Sequence, residues 1–71
     1  MIQVTAIYQN SEIGYGEGET RFYALSDCAN SIPAIFENEI VEFSILDNDT
    51  GETSKQRGRV YIGIDGETGV C

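Results

Sequence analysis

Catalysis needs an activated group, and this chain offers few. Among its 71 residues there is no histidine and there are two cysteines, Cys28 and Cys71. The ordinary serine and cysteine relays therefore lack their base. Paired carboxylates can do general acid and base work only where a concave pocket raises one pKa, and a chain this short rarely builds one. The reading is not an enzyme, with no catalytic residue and no cofactor. Gly14-Tyr15-Gly16-Glu17-Gly18-Glu19 has the look of a phosphate-cradling loop, but its spacing is not GxGxxG. It is expected not to precede a helix, and its glutamates would repel phosphate. Asp47, Asp49 and Glu52 stand beside Gly51 like the start of a calcium loop. Counted from Asp47, however, Gly51, Glu52 and Gly58 take positions five, six and twelve, where an EF-hand needs an oxygen ligand, glycine and glutamate. No metal site is expected.

Charge is the more informative property. Twelve acids against four bases give a net charge of −8 at pH 7, which repels nucleic acid and anionic membranes and points to a basic protein surface as partner. Four acidic pairs fall at i, i+2: Glu17 and Glu19, Glu37 and Glu39, Asp47 and Asp49, Asp65 and Glu67. In extended backbone such pairs share one side about 6.7 Å apart, comparable to successive phosphates of a nucleic-acid strand. They could thus occupy a groove built for DNA or RNA, or they could only solubilise turns and strand ends. The candidate partner-binding residues are Glu17, Glu19, Glu37, Glu39, Glu42, Asp47 and Asp49, with Tyr15 between its glycines as an aromatic anchor. Lys55, Arg57 and Arg59 are three of the four bases; the expectation is that they pair with the Asp47 to Glu52 acids across their own loop, the alternative being a secondary contact with an acidic partner.

Hydrophobic periodicity supplies the elements that must hold these groups. Ile2, Val4, Ala6 and Tyr8 alternate with polar residues, which predicts a first strand. Residues 9–18, polar and glycine-bearing, read as a long, mobile hairpin connection. Thr20, Phe22 and Ala24 alternate as a second strand. At Ser26, a reasonable N-cap, the period changes: Leu25, Ala29, Ile32 and Phe36 share a helical face, with a kink or restart near Ile32 imposed by Pro33. A third strand over Glu39 to Leu46 carries Val41, Phe43 and Ile45 on one side. Asp47 to Gly58 has no large apolar residue and reads as a flexible loop. Arg59 to Ile64 is a fourth strand, followed by an Asp65-Gly66 turn and a tail or short fifth strand. The fold class is α+β with two layers: an antiparallel sheet of about four strands, ββαββ, and one short helix on one face, in a single domain over residues 1–71.

A domain of this size buries only about 60% of the surface its unfolded chain exposes, so a homodimer or a partner is a plausible source of extra stability. No apolar run reaches the roughly 18 residues of a membrane span, and the N-terminus lacks the pattern of a signal peptide. The expected location is the cytoplasm, and the two cysteines read as reduced thiols more readily than as a disulfide.

The whole-chain order is a strand from Met1, a glycine-bearing hairpin, a strand ending in Ala24-Leu25-Ser26 that opens a short helix, and a closing hairpin. In size, acidity and element order it resembles the small phage-encoded anti-CRISPR proteins. That resemblance implies a non-catalytic inhibitor of a host CRISPR-Cas effector complex that blocks its DNA site, and the acidity is in keeping with the DNA-mimicking members. Two other functions fit the same features: a small structural or assembly protein that self-associates, and an inhibitor of another DNA-processing enzyme such as uracil-DNA glycosylase.

Overall fold

The alternation that opens the sequence becomes the second strand of a sheet whose neighbours all run antiparallel. The computed structural model describes residues 1–62 and 68–70. Its elements are β1 (Ile2–Tyr8), β2 (Ser11–Gly18), α1 (Arg21–Ser31), a 3-10 turn (Ala34–Phe36), β3 (Ile40–Asp47), β4 (Thr53–Ile62) and β5 (Thr68–Val70). The strand order is β2-β1-β3-β4-β5. The fold is α+β with the helix on one face of the sheet, as the sequence predicts. β2 and β3 flank β1, so the chain crosses over β1 through α1.

The first half of the chain departs most from expectation. Residues 11–18 are a strand, and the hairpin connection is only Gln9 and Asn10, both at positive φ (50° and 67°). That is the conformation of a two-residue hairpin turn matched to strand twist. A register shift opposite Ala6 and Ile7 leaves Ile13 unpaired as a bulge. Beyond it Gly14, Gly16 and Gly18 pair with Ala6, Val4 and Ile2, all on the face that meets the helix. Residues 20–24 are not a strand. Thr20 is the N-cap, and its hydroxyl accepts from the Tyr23 N–H at 3.2 Å. Ser26 lies inside the helix, and the glycine segment does lead into a helix. The apparent alternation of Thr20, Phe22 and Ala24 coexists with Ala24, Cys28 and Ile32 at a spacing of four, and burial selects the latter: these three are core, while Phe22 is exposed. Ile32 ends the helix in extended backbone, as the residue before Pro33 must. The predicted restart is the 3-10 turn, and its Phe36 stacks edge-on against Tyr8 at 5.2 Å.

The glycines are the seat of the helix. A Cβ built on Gly16 would lie 2.1 Å from the Cys28 nitrogen and 2.7 Å from the Ala24 oxygen. At Gly14 it would meet Ile32 Cγ1 at 2.7 Å, and at Gly18 the Ala24 nitrogen at 2.6 Å. Helix backbone thus rests on strand backbone, and the two small helix residues Ala24 and Cys28 let it approach. The core beneath consists of Val4, Ala6, Ala24, Cys28, Ile32, Val41, Phe43, Ile45 and Val60. The sequence places Val41, Phe43 and Ile45 there correctly.

The expected loop over Asp47 to Gly58 is a tight turn followed by a strand. Gly51 N–H donates to the Asp47 carbonyl at 2.7 Å, with Gly51 at φ +77°, and β4 begins at Thr53. Up to Gly58 the inward side of that strand holds Ser54, Gln56 and Gly58, which pair with Ile45, Phe43 and Val41 of β3. Pairing with β3 makes this segment a strand where hydrophobic pattern does not. Val60 takes its predicted place in the core. Ile64, the Asp65-Gly66 turn, the Asp65 and Glu67 pair and Cys71 lie outside the described residues. Cys28 is a free thiol, buried, with its pKa pushed up to about 11 by burial and opposed in part by a backbone hydrogen bond from Ala6.

Gly16→Ala should destabilise the fold by about 3 kcal/mol or more in urea unfolding, and Gly51→Ala, with open space but a left-handed backbone, by about 1–2 kcal/mol. Equal costs would mean that the helix does not seat on Gly16. The raised Cys28 pKa makes its contribution to stability complete below pH 9 and lost as pH rises through 11. Cys28→Ala should remove that part of the alkaline decline, and Cys28 in the folded protein should resist iodoacetamide at pH 8.

Candidate protein-binding surface

Strand register decides which acids meet. Ile2 pairs with Gly18 on one side and Asp47 on the other, and Leu46 pairs with Thr53. The end of β2, the start of β1, the β3–β4 turn and the N-terminus of α1 therefore share one end of the sheet. Glu19, Asp47 and Asp49 collect there around the Met1 ammonium, which donates to Asp49 Oδ2 at 3.0 Å, and Glu17 lies at the same end opposite Gln3. That hydrogen bond is the main cause of the raised pKa of the ammonium, and the charges of Asp49, Glu19 and Asp47 add to it. Asp47 turns its Oδ1 inward to accept from the Asp49 N–H at 2.9 Å, while its backbone N–H donates to the Glu52 carbonyl at 2.9 Å. Met1 and Glu52 belong to this end although neither is among the candidate partner-binding residues of the sequence.

The other candidates are elsewhere. Ile7 pairs with Glu42, roughly 17 Å along β1 from Ile2 at the rise of an extended strand. Beyond it lies the opposite end, where Glu39 accepts from the Tyr8 hydroxyl at 3.2 Å and thereby raises the Tyr8 pKa, its charge being the larger cause. Glu37 follows the 3-10 turn at this same end. Glu42 sits in the middle of the open sheet face and meets Lys55 Nζ at 3.6 Å. None of the three described acidic pairs runs along unbroken strand: Glu19 lies past the end of β2, Asp49 is in a turn, and Asn38 at φ 68° separates Glu37 from Glu39. The carboxylates form a cluster at one end, with no track of phosphate-like spacing.

Tyr15 stands on the uncovered face of β2, opposite Thr5, and is 46% exposed. Partial burial raises its pKa, and the charge of Glu17 on the same face adds to the rise. Two further aromatics stand by the acidic end. Phe22 and Tyr23, in the first turn of α1 just after Glu19, stack edge-on at 5.6 Å and are 72% and 63% exposed. In the sequence Phe22 alternates with Thr20 and Ala24 as in a strand, and only the rotation of the helix leaves both rings in solvent. The basic residues depart from expectation as well. Arg59 donates to the Asn38 carbonyl at 2.6 Å and Lys55 meets Glu42, so neither pairs with the Asp47 to Glu52 acids. Arg21, at the head of the helix, donates to Gln56 at 3.0 Å.

Among the described residues no three His, Cys, Asp or Glu side chains converge as a metal site, and no helix is long and apolar enough to cross a membrane. The chain matches no protein-family model, no curated protein and no solved structure.

Because the pKa of the Met1 ammonium is raised above 8.0, its contribution to stability is complete below pH 8 and lost as pH rises through the folded-state value. Titration by NMR should place the ammonium above its ordinary value, and Asp49→Asn should bring it back down. An unchanged titration in that variant would remove Asp49 as the cause.

Proposed function

We propose that the protein is a non-catalytic inhibitor that docks its acidic end on a basic, nucleic-acid-binding surface of a host CRISPR-Cas effector complex and thereby blocks DNA binding. The observation that carries this reading is the meeting of Glu17, Glu19, Asp47 and Asp49 at one end of the sheet beside the exposed Phe22 and Tyr23 pair. Carboxylates in that number steer a basic partner and occupy the place of phosphates, while exposed aromatics supply the contact energy that charge in water does not. The exposed aromatic pair supports a protein partner, because large apolar rings contribute contact area that a small hydrated cation cannot cover. Tyr15 extends the contact on to the sheet face. Glu37 and Glu39, at the far end, lie outside this contact, and Glu39 accepts from Tyr8 instead.

Displacement of DNA from a purified effector complex tests the proposal. The triple charge reversal Glu19→Lys, Asp47→Lys, Asp49→Lys should weaken inhibition by more than about tenfold and flatten its salt dependence. Phe22→Ala with Tyr23→Ala should weaken it at an unchanged salt slope. Inhibition that survives the triple reversal would overturn the role of the acidic end, and failure of the native protein to displace DNA would overturn the target.

A further inference from the structure

The two long edges of the sheet are treated differently. On β2, at one edge, the Tyr15 N–H donates to Ser31 Oγ at 2.8 Å and the Glu17 N–H to Asp27 Oδ2 at 3.0 Å. Ser31 Oγ in turn donates to the Cys28 carbonyl at 2.7 Å. Helix side chains therefore occupy the hydrogen-bonding groups that another strand would need, a recognised way to blunt an edge. On β4, β3 pairs one side from Thr53 to Arg59, and β5 covers the other side only from Val60 to Ile62. Among the described residues no strand pairs with Thr53 to Gly58 on that side.

The same strand carries the bases. Lys55, Arg57 and Arg59 alternate along it and pair in register with Ser44, Glu42 and Ile40 of β3, so all three project on the uncovered face of the sheet. Each is exposed. Glu42 is the acid of this row, and it stands opposite Arg57 while meeting Lys55, which leaves the row net positive in a chain that is otherwise acidic. Arg57, Gly58 and Arg59 also border a depression of about 350 Å³ floored by Ile40, which is 54% exposed. That space suits one apolar side chain flanked by two guanidinium groups.

We infer that the free edge of β4 receives an extended acidic polypeptide segment from another protein, which adds to the sheet as a further strand with its carboxylates along Lys55, Arg57 and Arg59. Charge selects this occupant. A second copy of the chain pairing β4 with β4 would set the same bases against each other, and two molecules of net charge −8 repel. A nucleic-acid strand would find the bases but lacks the alternating peptide N–H and C=O groups that pair with a strand edge. This surface is distinct from the acidic end.

An alternating Glu-Val peptide, titrated into the isotopically labelled protein and followed by NMR and amide exchange, tests the inference. Binding should shift and protect the amides on the free side of Thr53 to Gly58, and Lys55→Glu with Arg57→Glu should weaken it by about tenfold or more. If that variant does not fold, Lys55→Gln with Arg57→Gln should still weaken binding severalfold. A Lys-Val peptide and a Glu-Val peptide methylated at alternate amide nitrogens should not bind. Glu19→Lys with Asp49→Lys should leave binding at least as tight, which separates this site from the one proposed above. The inference is overturned by amides on the free side of Thr53 to Gly58 already protected in the free protein, by equal binding of the methylated peptide, by dimerisation through β4, or by oligothymidine binding to the same row in preference to the acidic peptide.

Discussion

Close approach of α1 to β2 is the constraint on which the rest of the molecule depends. An ordinary helix–sheet contact is spaced by side chains, but Gly14, Gly16 and Gly18 have none, and a Cβ on Gly16 would strike the Cys28 nitrogen. Backbone therefore packs against backbone at the sheet edge. That contact places Ser31 and Asp27 within reach of the β2 amides and closes the edge. It also fixes the rotation of the helix, so that Ala24, Cys28 and Ile32 face inward while Phe22 and Tyr23 face out. One glycine stripe thus sets the packing, seals one edge and leaves two aromatics in solvent.

The charge distribution follows from topology more than from composition. Because β1 lies between β2 and β3, the end of β2 and the end of β3 come together at the N-terminus of the chain, and residues 30 positions apart become neighbours around one ammonium. Exposed pairs of this kind add little stability. Their effect is a local potential, and the exposed Phe22 and Tyr23 stand next to it. The bases gather on β4 for a different reason: alternation in a strand sends every second residue to one face, and this strand is held in the sheet by pairing with β3 rather than by apolar side chains of its own.

The long apolar alternations were legible in the sequence. β1 and β3 lie where the pattern of Val4 and Ala6 and of Val41, Phe43 and Ile45 puts them, and Pro33 ends the helix as its missing N–H and its effect on Ile32 require. Where pattern failed, another interaction had taken its place. Glycine in β2 read as mobility because its usual role is conformational freedom, whereas none of these three glycines has positive φ and each serves by lacking a side chain. Thr53 to Gly58 read as a loop because a strand supported by hydrogen bonding needs no hydrophobic signature. Thr20 was passed over as a cap because its alternation with Phe22 and Ala24 suited a strand equally well.

By itself, then, the sequence determined the class: an acidic α+β chain, without the histidine that ordinary nucleophilic relays use, with its core on β1 and β3 and a helix stopped by proline. Those properties reside in composition and in local period. Only the tertiary structure decided which acids act together, since i, i+2 spacing binds residues to a common side only in unbroken strand, and turns or strand ends interrupt all three described pairs. It likewise decided that one edge is closed and the other open. The capping bonds at Tyr15 and Glu17 join positions 16 and 10 residues apart in the chain, and a relation of that range arises from packing of the helix on the glycines, which no local pattern records.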